Sequence, residues 1–399
     1  MADGAWRAVQ GEGRTMRKTM SIVFWGLFLF LTQGLLSGCP SSGSSNGSAV
    51  RAGEEGPAFQ ALQSQAPTFA DETDGMGFFF GSLHGHSTIS GKDVQGSPQE
   101  VLTWARDEAG FDFYVLTDHG EGIIPREWKV MQVQTDAFTQ DGVFVAMRGF
   151  EWSHPLVGHV CVYNTDTYTN SILLPFLNCF YRWVDKHDAL TEFNHPGREP
   201  LVFQNLAYRE AVADNFVAME TGNKAKGNAS GEYLPYYPNI LDEGWRVAPT
   251  NNQDNHSLNA TSHRTAMVAA SLSRATLLDA MRTRRIYSSD DPNMKVIFKL
   301  GDAWMGSEVT QPAGSATFTV WVQDDEPITK LTLYTVQGAV AAEQTIDGDQ
   351  TEVNWTPAVD VSADVYFYLQ VAERNTVFID GNEPVQIAVT APIWIKMAE

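Results

Sequence analysis

Cysteine is nearly missing from this chain, with three in 399 residues, at Cys39, Cys161 and Cys179. That is too poor a thiol supply for a cysteine enzyme, and a Cys161–Cys179 disulfide is permitted but not implied. Positive charge is scarce too. Only 27 Lys and Arg face 48 Asp and Glu, a formal net charge of -21, which argues against a protein that holds nucleic acid through its phosphates. No Gly-rich loop ends in Lys-Ser or Lys-Thr, so a nucleotide-cradling loop is excluded. No serine sits in a G-x-S-x-G elbow between a strand and a helix. The apolar run from Ile22 to Leu36 is short for a full membrane span. Histidine is sparse as well, nine in all, so the places where histidines fall carry weight.

What is present begins with an address. Arg17 and Lys18 precede the run Ile22 to Leu36, and Ser37 and Gly38 follow it before Cys39, the layout of a secretory signal. "LLSGC" resembles a bacterial lipobox, which implies that Cys39 becomes the lipidated first residue of the mature chain. Residues 1–39 are therefore expected to be signal and lipobox; residues 1–15 look like no part of a signal, which leaves Met16 open as the true start. Residues 40–74 open with the Gly/Ser-rich "PSSGSSNGS" and are expected to form a flexible tether. The protein would then sit in a bacterial cell envelope, held to the membrane at Cys39.

From 75 to 290, short apolar runs alternate with helical segments, the pattern of an α/β fold with a parallel sheet and crossover helices. "SPQE" predicts a helix with Ser97 as N-cap, Pro98 first and Glu100 closing a capping box, ended by Gly110. From 291 to 399 the chain changes to β-rich runs such as "SATFTVWVQ" and "VYFYLQVA", and a β-sandwich is expected there.

Chelating side chains gather where the strands are expected to end. "LHGHS" places His84 and His86 two apart, which on an alternating strand would point both to one face. "VLTDHG" brings Asp118 and His119, "GFEWS" brings Glu151 and "GH" brings His159. "FNHPG" brings His195, and "QDNHS" brings Asp254 and His256. Imidazole and carboxylate donors without thiolate suit Zn, Mn or Fe, and so many of them suit two or three ions bridged by a carboxylate. Such ions polarise an ester oxygen and acidify water, which points to hydrolysis.

These motifs, in this order, resemble the polymerase and histidinol phosphatase (PHP) superfamily. "RRIYSSDDP", "MGSEV" and "APIWI" are similar to its secreted CehA/McbA-type branch. The resemblance spans Gly77 to the C-terminus and implies a distorted (β/α) barrel followed by a sandwich. It implies that His84 and His86 bind one ion with Asp254 and a bridging Glu151, that His159 and His195 complete a second ion, and that His119 and His256 hold a third. The common "SDG" of the third site is "SGKDVQG" here, leaving Asp93 for that place. Glu151, Asp254 and His195 are the expected catalytic residues. The implied activity is hydrolysis of a small-molecule ester, a phosphoester first, with carboxylic or carbamate esters open within the same branch. A non-catalytic envelope lipoprotein is the other reading.

Several residues have plainer roles open to them. Asp118 has two readings, a metal ligand or a carboxylate that orients its neighbour, and Glu220 is expected to hydrogen-bond rather than ligate. Arg198 and Arg264 could meet an anionic substrate or pair with carboxylates. His154 and His263 are left outside the site, and His187 belongs to an amphipathic helix.

Overall fold

The computed structural model describes residues 67–223, 233–259, 261–374 and 385–398. The signal, Cys39 and the Gly/Ser-rich stretch lie outside them. Within the described residues no helix is long and apolar enough to cross a membrane. The fold is mixed α/β, mostly sheet with few helices. Regular structure starts before Gly75: Thr68 caps a short helix, Phe69–Glu72, and Phe69 packs its ring 5.7 Å from that of Phe78.

Nine strands build the part that carries the chelating residues: β1 Gly77–Ser82, β2 Phe113–Leu116, β3 Val145–His154, β4 Gly158–Tyr163, β5 Leu190–Asn194, β6 Phe216–Asn223, β7 Ala248–Asn252, β8 Arg264–Ala269 and β9 Ile286–Ser289. They are hydrogen-bonded in the order β9-β8-β1-β2-β3-β4-β5-β6-β7. The expected parallel sheet is only partly present. Strands β1, β2 and β3 run parallel, as do β5, β6 and β7, but β4 is antiparallel to both its neighbours. Likewise β8 is antiparallel to β1, and β9 to β8. The reason at β4 is chain length: residues 155–157 alone connect it to β3, whereas a parallel return needs a crossover of about a dozen residues.

No backbone ladder joins β7 to β1 or β8 among the described residues, so the sheet does not close into a barrel by pairing. Side chains span the gap. Thr265 Oγ1 accepts from Asn251 N (3.0 Å) and donates to Asn252 Oδ1 (2.9 Å), which also accepts from Leu83 N (2.8 Å).

The helix Pro98–Asp107 starts as its sequence predicts. Ser97 Oγ accepts from Glu100 N (3.4 Å), and Glu100 Oε2 accepts from Ser97 N (2.8 Å). Its apolar face buries Val101, Leu102, Trp104 and Ala105, with the Trp104 ring edge-on to Tyr114 at 6.1 Å. The helix Leu177–Lys186 covers β3 by stacking Phe180 on Trp152, 4.5 Å apart and 13° from parallel. Each such fully buried aromatic contributes about 1.5–3 kcal/mol through lost apolar surface.

Beyond β9 the described chain is nearly all strand. Lys295–Leu300, Ala303–Trp304, Gly314–Gln323, Glu352–Trp355 and Ala358–Val361 form a five-stranded sheet. Strands Ile328–Thr335, Val365–Arg374 and Val385–Thr390 instead extend the large sheet, because Val385–Thr390 pairs directly with β9 (Val389 opposite Ser288). The two sheets meet through Phe298, Phe318 and Phe367, with ring centroids 5.3 Å apart in each successive pair.

Replacing Ser97 by Ala removes the side-chain cap and is expected to lower unfolding free energy by about 1 kcal/mol. A shifted urea midpoint at unchanged slope would report it.

Candidate metal centre

His84 and His86 follow β1 rather than lie on it, so strand alternation is not what pairs them. The loop is fixed by Thr117 N donating to Gly85 O (2.8 Å) and by Asp254 N donating to His84 O (3.0 Å). Gly85 between them is required by packing, since a Cβ there would collide with the Tyr114 hydroxyl. The two rings end 5.0 Å apart, both fully buried. Glu151 also departs from expectation, lying within β3 and not past its end. The hairpin register sets Ser153 opposite His159, so Glu151 and His159 are diagonal neighbours on one face. His195 follows β5, and Asp254 and His256 follow β7. His195 and Asp254 have positive φ (29° and 37°), a conformation costing roughly 1–3 kcal/mol each for residues with a side chain.

Glu151 is the hub. Its Oε1 lies 3.0 Å from His159 Nδ1, 3.3 Å from His84 Nε2 and 3.4 Å from His195 Nε2. Its Oε2 lies 2.6 Å from His119 Nδ1 and 3.9 Å from His86 Nε2. Each oxygen therefore faces a different set of imidazoles. Asp254 Oδ1 is 3.0 Å from His86 Nε2 and 3.6 Å from His84 Nε2. The His256 ring sits 4.8 Å from His86 and 6.1 Å from His119. Seven of the residues expected from sequence and Glu151 thus converge on one pocket.

Surrounding groups set the tautomers. Glu220 Oε1 accepts a hydrogen bond from His84 Nδ1 (2.9 Å), which leaves Nε2 as the nitrogen directed at Glu151 and Asp254. Ser90 Oγ donates to Asp118 Oδ1 (2.7 Å) and so accepts from His86 Nδ1 (3.0 Å), again freeing Nε2. Asp118 has no capacity left for a cation. It also accepts from Ser87 N, Ser87 Oγ and Ser90 N, bracing the loop that carries His86. Carboxylates behind metal-binding imidazoles act in this way.

Burial opposes charge at every one of these groups, and the outcome depends on neighbours. For Glu151 burial is outweighed by His159, His84 and His119, which hold its carboxylate well below the usual range. For His84 burial is outweighed by Cys161, Asp254, Glu151 and Glu220, so its imidazole is raised well above the usual range. For His86 burial wins, and the group falls to about 3 despite Asp254. A cluster of this kind binds positive charge, whether protons or metal ions. The donor set fits a metal: imidazole nitrogens and carboxylate oxygens converge, and both ring nitrogens of His195 are buried with only long carboxylate approaches, 3.4 Å to Glu151 Oε1 and 3.6 Å to Glu199 Oε2, in place of well-formed hydrogen bonds. An orphaned buried polar atom is costly unless something coordinates it.

Sequence reading missed Glu199. It lies 3.6 Å from both His159 Nε2 and His195 Nδ1 and accepts from Arg198 Nε at 2.9 Å. The turn at "HPGRE" could have signalled it, because Gly197 (φ 94°) reverses the chain and brings residue 199 back under His195. Arg198 reaches His159 Nδ1 (2.9 Å) and Asp254 Oδ2 (3.5 Å) from a side chain 36% exposed, at the mouth of the site. Arg264 is occupied differently. Its guanidinium donates to the carbonyls of Thr261, His263 and Ala109 and lies over the Phe111 ring at 4.2 Å, a buried structural brace rather than an open anion contact. Asp93 is exposed, on a loop tied to His256 O through Gln95 N (2.9 Å). His154 stacks on Trp152 and caps the turn through Leu156 N and Val157 N, and His187 stacks on Trp183 at the end of its helix. His263 is buried next to Arg264. Cys161 and Cys179 are both free thiols.

No family model and no curated protein matches the chain. Solved structures do. One is a two-domain protein from Bacteroides vulgatus containing a predicted PHP-like metal-dependent phosphoesterase, 16% identical, covering 79% of this chain and 96% of its own, with a TM-score of 0.44. Another is PsfC from Pseudomonas syringae, 13% identical over 48% of this chain and 82% of its own, with a TM-score of 0.34. At these TM-scores the functional reading rests on the side chains themselves.

Replacing Glu220 by Gln keeps the shape of the second sphere but removes its charge, and is expected to weaken metal affinity about 10- to 100-fold. His187→Ala should leave affinity unchanged. Titration of the chelator-stripped protein with Zn2+ measures both.

Proposed function

We propose that this chain is a PHP-type metal-dependent hydrolase of esters, phosphoesters first, built on a distorted barrel that Asn251, Asn252 and Thr265 complete. The observation that carries this reading is the bridging position of Glu151, one oxygen toward His84, His159 and His195 and the other toward His119 and His86. His84, His86, Asp254, Glu151, His159, His195, His119 and His256 would hold two or three divalent ions, of Zn, Mn or Fe, and Glu199 joins them as a donor. Bound ions of this kind supply Lewis acidity toward an ester oxygen and bring the ionisation of water near neutrality.

The chain's own groups do the rest. Arg198, partly exposed and directed at the same pocket, binds the anionic part of the substrate through charge-assisted hydrogen bonds. Asp254 stands between the buried imidazole pair and Arg198, where it can take a proton from an attacking water. Glu220, Ser90 and Asp118 hold the imidazoles in the tautomer that leaves Nε2 free. The CehA/McbA-type branch is the finer assignment, on the strength of the C-terminal motifs. Lipidation at Cys39 would place the enzyme on a bacterial envelope membrane.

The test is a panel of phosphomonoester, phosphodiester and carboxylic ester model substrates, run before and after chelation and after metal return. Turnover should vanish on chelation, recover with metal, and be absent from His84→Ala and Asp254→Ala. Activity that survives complete metal removal overturns the proposal. Arg198→Ala should lower kcat/KM on phosphoesters about 10- to 100-fold, as expected for a hydrogen bond to a charged group worth about 1.5–3 kcal/mol, and less on neutral esters.

A further inference from the structure

A second group of acids lies in the C-terminal part and shares no residue with the imidazole pocket. Asp291 follows β9, Asp324 and Glu326 follow the strand Gly314–Gln323, and Glu373 lies on the strand Val365–Arg374. Asp291, Glu326 and Glu373 are all buried, and each offers an oxygen within 4.8 Å of the others.

Acids at a protein surface need no partner, but these are not at the surface. Glu373 has no exposed area, and no N–H or hydroxyl donor reaches either of its carboxylate oxygens. Both oxygens of Asp324 are likewise buried with no donor side chain on them, and Asp324 and Glu373 lie within hydrogen-bonding reach of each other, two acids with no second donor between them. Gln386, directly opposite Glu373 on the next strand, gives its Nε2 to Asp290 O (2.9 Å) and leaves a buried Oε1 without a donor. The nearby cations are committed elsewhere, Arg374 to Asp349 (2.8 Å) and Lys330 to Glu343 (2.8 Å). Among the described residues no Lys or Arg pairs with Asp291, Asp324 or Glu373. The sequence 375–384 contains neither.

Buried carboxylates that converge with no Lys or Arg between them must share protons or a cation. We infer that Asp291, Asp324, Glu326 and Glu373 form a separate site for a hard divalent cation of the calcium class, between the two sheets of the C-terminal part. Oxygen-only donors select such an ion over the softer metals that suit imidazole. Carboxylates from three separate segments supply it, and Gln386 Oε1 is a further neutral oxygen at hand. Asp291 is already fixed for the task, its Oδ1 accepting from Asn293 N (2.7 Å) and Met294 N (2.9 Å). Without a cation, burial and then Asp324, Asp291 and Glu326 push Glu373 up to about 12, and burial and then Asp324 push Asp291 up to about 7. The cation thus fastens the link after β9 to both sheets.

The experiment titrates Ca2+ into the chelator-stripped full chain, followed by calorimetry and by thermal unfolding. Saturable binding and a raised Tm are expected in the wild type and equally in the His84→Ala/His86→Ala double variant. Both signals should be lost in Glu373→Gln and in Asp324→Asn. No binding of Ca2+ or Mg2+ to the wild type overturns the inference, as does a response that disappears with the two histidines or survives both carboxamide variants. If a carboxamide variant does not fold, Tb3+ luminescence in the wild type reads the same place, sensitised by Tyr287, whose hydroxyl donates to Met294 O at 2.7 Å beside Asp291. Emission that Ca2+ displaces supports the site, and its absence overturns it. Because the histidine variants are an arm of the measurement, failure here leaves the hydrolase reading standing, and failure of that reading leaves this site standing.

Discussion

A carboxylate buried among imidazoles is the constraint on which the rest of the pocket depends. Glu151 is 1% exposed on β3, and an isolated charge at that depth would be driven to its neutral form. It stays ionised because His159, His84 and His119 surround it, and those imidazoles in turn need acceptors behind them. Glu220 behind His84, Ser90 with Asp118 behind His86, and Glu199 beside His159 and His195 meet that need. A single buried acid thereby fixes the identity of a shell of polar residues that would otherwise be poor choices for an interior.

The sheet order is what brings these groups together. Loops after β1, β5 and β7 arrive at the same edge as the middle of β3, and the tight β3–β4 hairpin adds His159 beside Glu151. The gap between β7 and strands β1 and β8 is spanned by amide and hydroxyl side chains rather than a ladder. The same segment carries Asn252, which donates to both Glu192 and Glu220 (3.0 and 3.1 Å), so the closure of the fold and the back wall of the pocket are one hydrogen-bonded network. Positive φ at His195 and Asp254 is stored strain of a kind that persists where the surroundings over-determine a conformation.

The C-terminal strands are joined to this framework rather than hung from it. The ladder between β9 and Val385–Thr390 continues the large sheet into the second part, and Asp291 sits just where the chain leaves that ladder. Buried acids at such a junction make its strength depend on whichever positive species occupies them.

Much of the pocket was legible in the sequence because its donors are rare residues: "HGH", "TDHG" and "NHPG" each stand at the end of an expected strand, "DNH" follows another, and nine histidines leave few alternatives. Local chemistry also determined the helix Pro98–Asp107, since its cap and its apolar face are written within a few residues. Tertiary structure alone decided the antiparallel insertion of β4, the exposure of Asp93 and the engagement of Arg264 by three carbonyls. It alone decided that Glu199 faces two histidines and that acids between positions 291 and 373 converge. Residue type and short spacing fix what a segment can offer a ligand; which segments meet depends on pairing across a hundred or more residues, and one chain carries no local record of it.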